Sequence, residues 1–167
     1  MRLATTVAVV LVLRATTLLG QEFARYQPGT LQAVTAQHDS AVRDVPSNIA
    51  EHWAISADDF ARRVQVTYTG QHRPIDPVRQ ELLRQWARGF NRDSSIIAIF
   101  QNEYLFREGQ VDYWLPVQNV LEEPLAQEAK PDQVIELYVM FIGAHFAHGQ
   151  LTWLFIVNEF DARVPGQ

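Results

Sequence analysis

A chain of 167 residues, 47% hydrophobic and 20% charged, is long enough to bury a core as one domain, and disorder is not its default state. Its formal charge of −5 sets it against non-specific binding of nucleic acid, whose phosphates require lysine and arginine. Lysine occurs once, as Lys130, and cysteine is absent, which excludes disulfides and thiol chemistry.

Residues 1–20 read as a secretory signal peptide. Met1-Arg2 gives a positive start, "LATTVAVVLVL" an apolar run, and small residues lead to Gly20 before the polar "QEFARYQPG". The run is too short for a spanning helix. An uncleaved N-terminal anchor is the rival reading, because Arg14 interrupts the run and Leu18 is bulky near the cut. "LLGQ" resembles the end of a bacterial lipoprotein signal, but Gln21 stands where the lipid-carrying cysteine is required. The expectation is a bacterial periplasmic or secreted protein with no stable membrane anchor once the signal is removed. Loss of Arg2 and Arg14 takes the net charge from −5 to −7.

Residues 21–54 form an expected lead-in, rich in turn residues, with a short helix started by Thr30 over Leu31–Ala36. Trp53, Ile55 and Phe60 are expected to dock this segment on a single α+β domain spanning 55–163. In "RRVQVTYTG", Val64, Val66 and Tyr68 alternate with polar residues, which predicts a half-buried strand ending at Gly70.

The clearest helix follows, in "DPVRQELLRQWARGF". Asp76 is suited to the N-cap and Pro77 to the first helical position, where a missing N–H costs nothing. Val78, Leu82, Trp86 and Phe90, with Leu83 beside them, form one apolar stripe, while Glu81, Arg84 and Arg88 lie opposite. "SSIIAIF" reads equally as helix or strand, so residues 94–102 stay unassigned. "EYLFR" and "VDYWLPV" around "EGQ" predict a hairpin, with Pro116 at an edge or strand end. "QNVLEEPLAQEA" reads as a short helix disturbed at Pro124.

The last hairpin joins "VIELYVMFIG" to "LTWLFIVNEF". Ile135, Leu137, Val139 and Phe141 share a face with Trp153, Phe155 and Val157, and that face must be core. The other face, with Met140, Ile142, Leu154 and Ile156, is also largely apolar and needs its own cover. The architecture expected is therefore α+β: a curved antiparallel sheet or small open β-barrel of about five strands, covered by the amphipathic helix inserted after the first strand. Residues 62–92 carry seven arginines against two acids, and 93–161 two basic residues against eleven acids, so the two parts can complement each other across their rims.

Chemistry-bearing patterns are sparse. His145 and His148 in "IGAHFAHGQ" supply half of a tetrahedral metal shell, and a turn at Gly149 explains the stretch more simply. Glu159 and Asp161 are the nearest acids that could complete such a shell. Neither an "HExxH" helix nor a "GxSxG" elbow is present, and no cofactor is expected. Ser94-Ser95 read as loop or capping residues. The neighbouring pairs Glu122-Glu123 and Asp58-Asp59 read as solvated, since adjacent helical residues do not face each other.

Aromatic residues carry the remaining signal. Tyr113 and Trp114 occupy opposite faces of one strand, and Tyr138 and Trp153 lie on the last hairpin. An aromatic shelf of this kind serves recognition, which makes these four the expected ligand-binding residues. The function expected is a non-catalytic periplasmic or secreted binding module with a protein or small-molecule partner. The alternative is a small-ligand carrier or enzyme with an apolar pocket behind Tyr138, Met140, Leu154 and Ile156, using Glu136 or His145. A metal-binding protein using His145 and His148 is the third reading.

Overall fold

The computed structural model describes residues 23–44, 50–57, 61–90, 93 and 95–163. The expected signal peptide at 1–20 lies outside the described residues, as do Asp58, Asp59, Phe60 and Ser94.

Among the described residues the fold is α+β, with four helices and a seven-stranded mixed sheet. Its strands are β1 (Gln27–Pro28), β2 (Glu51–Ile55), β3 (Ala61–Pro74), β4 (Asn102–Glu108), β5 (Val111–Val117), β6 (Gln133–Ala147) and β7 (Gln150–Asp161). The helices are α1 (Leu31–Arg43), α2 (Pro77–Gly89), the short α3 (Ser95–Ala98) and α4 (Asn119–Glu128). Strand order is β1-β3-β4-β5-β7-β6-β2, and β3 also pairs with β6.

That extra pairing curls the sheet. The first half of β3 lies antiparallel to β6, from Ala61 opposite Met140 to Tyr68 opposite Gln133. Its second half turns away to pair with β4, through a register shift between Tyr68 and His72. β2 continues the line of β3 along the same edge of β6, with Glu51 opposite Ala147 and Ile55 opposite Gly143. The curl does not make a closed barrel. β5 and β7 run parallel and meet at one residue pair, Val117 with Val157.

Three features correct the sequence expectation. The sheet has seven strands rather than about five, and it is mixed, since β1–β3 and β5–β7 are parallel. The amphipathic helix follows the third strand, because the short β1 and β2 come before the strand expected first. That strand also runs beyond Gly70 to Pro74, since the bend hands it from one partner to the next.

Both faces of the β6–β7 hairpin are covered. On one side Ile135, Leu137, Val139, Phe141, Phe155 and Val157 are buried with Leu31 and Val34 of α1 and Leu121 and Leu125 of α4. On the other, Ile142, Leu154 and Ile156 are buried against Leu82, Leu83, Trp86 and Ala87 of α2. Trp53 and Ile55 pack on this second core as expected, and α3 delivers Phe100 into it. Asp76 caps α2, accepting from the N–H groups of Val78 and Arg79.

Helix α1 runs thirteen residues, well past Ala36. Thr30 caps it through the Ala33 N–H, and the Glu108 carboxylate accepts from the N–H groups of Leu31 and Gln32 at 2.8 and 2.9 Å. A negative charge at a helix N-terminus satisfies orphan donors and opposes the macrodipole. The lead-in thus supplies part of the cover over the first core.

Two bulges shape the hairpin. One places Ile142 between the pairs Phe141–Phe155 and Gly143–Leu154. The other leaves Asn158 unmatched on β7, where it accepts from Gln118 and donates to the Tyr26 hydroxyl, both at 3.0 Å.

Candidate functional site

Because β5 and β7 touch at a single pair near their C-terminal ends, the two strands part toward their N-terminal ends and leave a slot of about 370 Å³. Tyr113, Trp114 and Leu115 line it from β5, and Trp153 and Phe155 from β7. Thr35 of α1 and Arg79 of α2 also reach it. These two helices cover opposite faces of the hairpin, so the slot opens between strands and is flanked by both helical layers.

Alternation along β5 sorts its aromatic residues. Tyr113 packs on the first core, and burial together with the charge of Glu108 raises its pKa. Trp114 points to the other side, where the Arg73 guanidinium stacks on its ring at 4.0 Å. Trp153 packs on the first core beside Phe141, with ring centroids 5.9 Å apart.

Charge enters through a buried carboxylate. Glu103 on β4 has no solvent exposure and accepts from Arg73 Nε at 2.5 Å and from Arg79 Nη1 at 3.4 Å. The Arg79 side chain is 16% exposed, and its Nε donates to the Trp153 carbonyl at 3.3 Å. Asp112, which also lines the slot, is matched by Arg107 at 2.7 Å. Two arginines thus share one carboxylate beside the slot, leaving one net positive charge in a chain whose formal charge is −5.

Of the four aromatic residues expected from sequence, the structure gathers Tyr113, Trp114 and Trp153 at the slot. Tyr138 sits elsewhere, 4.7 Å from Phe23 and edge-on to Tyr26 at 5.4 Å. Arg79, Arg73 and Asp112 were not foreseen. Only the docking of α2 and the β4–β5 hairpin brings them to the aromatic rings.

The expected histidine turn needs correction. β6 continues to Ala147, because β2 holds residues 143–147 in the sheet. The turn itself is His148-Gly149, both with positive φ, as a two-residue hairpin requires. His145 is a buried strand residue, stacked on Trp53 at 3.8 Å, with Nε2 2.8 Å from the Glu51 carboxylate. Glu159 and Asp161 do not join it. Glu159 lies opposite Tyr138, while His145 lies opposite Thr152. Seven residues of strand separate Thr152 from Glu159, about 23 Å at strand spacing. Among the described residues no three His, Asp or Glu side chains are grouped as metal ligands.

The remaining candidates have structural partners. Glu122 accepts from Asn102 at 2.9 Å and from the Tyr104 hydroxyl at 3.4 Å, Glu123 from Gln127 at 3.0 Å. The Ser95 N–H is held by Asp93 at 2.9 Å. The face that would have formed an apolar pocket behind Met140, Leu154 and Ile156 is filled by α2.

No helix among the described residues is long and apolar enough to cross a membrane. Comparison of the chain with known protein families, with curated proteins and with solved structures returned no match.

Proposed function

We propose that the protein is an exported, non-catalytic recognition module that holds its ligand in the slot between β5 and β7. One observation carries this reading: three aromatic residues from two separate strands line, together with a mostly buried arginine, a cleft of about 370 Å³. That volume lies within the usual range of small-molecule sites, where apolar walls and a few placed polar groups divide affinity from specificity. The lining favours binding over catalysis. The Asp112 carboxylate is tied to Arg107, and the Thr35 hydroxyl donates to the Gln32 carbonyl at 3.0 Å. Neither group is free to act as a base. Export remains part of the proposal, on the strength of the first twenty residues.

Native mass spectrometry of the purified protein tests it. A co-purifying molecule should be retained by the wild type and by Tyr138→Ala, whose ring lies outside the slot, and lost from Trp153→Ala. Retention by Trp153→Ala with loss from Tyr138→Ala would move recognition to the Phe23–Tyr26–Tyr138 cluster and overturn the assignment.

A further inference from the structure

Arg79 is spent on the fold only in part. A guanidinium has five N–H donors in a planar fork, and Arg79 commits Nε to the Trp153 carbonyl and Nη1 to Glu103. Its Nη2 has no hydrogen-bond partner among the described residues, although the side chain is mostly buried and lines the slot. The carboxylate it would neutralise is held more closely by Arg73, at 2.5 against 3.4 Å. The slot is therefore lined by an arginine with donors to spare, carries one unbalanced positive charge, and has aromatic residues on either strand.

We infer that the slot takes a small planar organic monoanion, an aromatic carboxylate, with its ring between the β5 and β7 edges beside Tyr113 and Trp153 and its carboxylate on Nη2 of Arg79. This rests on the slot being the recognition site. Charge matching sets the class. A phosphate dianion needs more than the single excess charge that Arg73, Arg79 and Glu103 leave, and a cation meets the wrong sign. The parted edges of β5 and β7 could instead suit an extended peptide adding as a strand. Arg79 argues against that occupant. Its guanidinium already takes the Trp153 carbonyl, which blunts the β7 edge where a strand would have to pair.

Titration calorimetry with three related probes tests the inference: indole-3-acetate, its neutral amide indole-3-acetamide, and the cation tryptamine. Indole-3-acetate should bind at least about tenfold more tightly than the amide, as a hydrogen bond to a charged partner allows, and tryptamine should not bind. Arg79→Gln should weaken the acetate far more than the amide, bringing the two affinities together. The selectivity of the wild type alone remains decisive should that variant fold poorly. Equal binding of acetate and amide, lost in Trp153→Ala, would overturn the carboxylate assignment and leave the slot as a recognition site. Binding of an alternating apolar peptide, insensitive to Arg79→Gln, would assign strand addition instead. Binding of none of the three probes overturns the inference, and the retained-ligand experiment then decides the slot by itself.

Discussion

Gly143 stands where β6 passes so close to β2 that a methyl group on its Cα would run into the Ala54 carbonyl oxygen. Its φ of 156° adds to the constraint. Gly149 also has positive φ, at 77°, but open space around it. The two positions separate crowding from conformation. Gly149→Ala should lose about 1 kcal/mol, the cost of a left-handed residue with a side chain. Gly143→Ala should lose at least about 3 kcal/mol, because the clash adds to the strain and pushes β2 away. Urea melts of the two variants check this, and equal losses would show that β2 does not rest on Gly143. Neither role is legible in sequence, where both glycines flank one apparent loop. His145 was misplaced for the same reason: its partners Glu51 and Trp53 belong to a strand that carries no local sign of where it pairs.

Helix α2 shows what a local pattern can reveal. Asp76, Pro77 and the Leu82–Trp86 stripe announce its start and its buried face, and the structure buries Leu82, Leu83 and Trp86 while Arg84 pairs with Glu81 and Gln80 on the outside. Trp86→Ala should therefore cost about 3–5 kcal/mol as a cavity in the second core. Arg84→Ala should stay within about 0.5 kcal/mol, since exposed pairs contribute little. Denaturant melts giving similar losses would place the helix face wrongly. Helix α1 was legible only at its first turn. His38 sits in line with Leu31, Val34 and Val42 and breaks the apolar stripe, yet it bonds the Val34 carbonyl at 2.8 Å and stacks against Phe141 at 4.7 Å. Its second N-terminal cap, Glu108, lies 77 residues away from Leu31. No window along the chain contains that information. The same limit hid the slot: the aromatic residues could be picked out, but not the parting of β5 and β7 that lets them converge.

Across the whole molecule, the basic stretch 62–92 does meet the acidic stretch 93–161, through Arg73 and Arg79 with Glu103 and through Arg63 with Glu136 at 3.5 Å. Alkaline pH tests the stability of the assembled fold. Burial raises the pKa of Tyr68, Tyr113 and Tyr138, and burial with the neighbouring Glu122 charge pushes Tyr104 up to about 12. A pKa raised by folding means that the unfolded chain loses its proton first. The associated stability is whole below about pH 10, the unfolded value, and disappears as pH climbs through the folded values. The urea midpoint should hold steady up to about pH 9 and fall steeply between about pH 10 and 12. Ultraviolet absorbance of phenolate should rise together with unfolding, and Tyr104→Phe should make the fall shallower. A midpoint unchanged across that range would mean that these rings are as hydrated in the fold as out of it.

The two-sided burial of the β6–β7 hairpin changes what its sequence has to specify. In a half-buried strand, a slip of one residue turns apolar side chains to water and is rejected on solvation grounds. Here both faces are apolar, so solvation distinguishes poorly between neighbouring alignments. The choice falls to a handful of small or polar residues: Gly143 beneath the Ala54 carbonyl, His148-Gly149 at the turn, and Asn158 held between Gln118 and Tyr26. The aliphatic residues between them carry bulk but little positional information. A drifting sequence could exchange Leu, Ile, Val and Met along this hairpin and still read in the same frame, whereas the loss of one of those few punctuating residues would leave two greasy strands free to misalign.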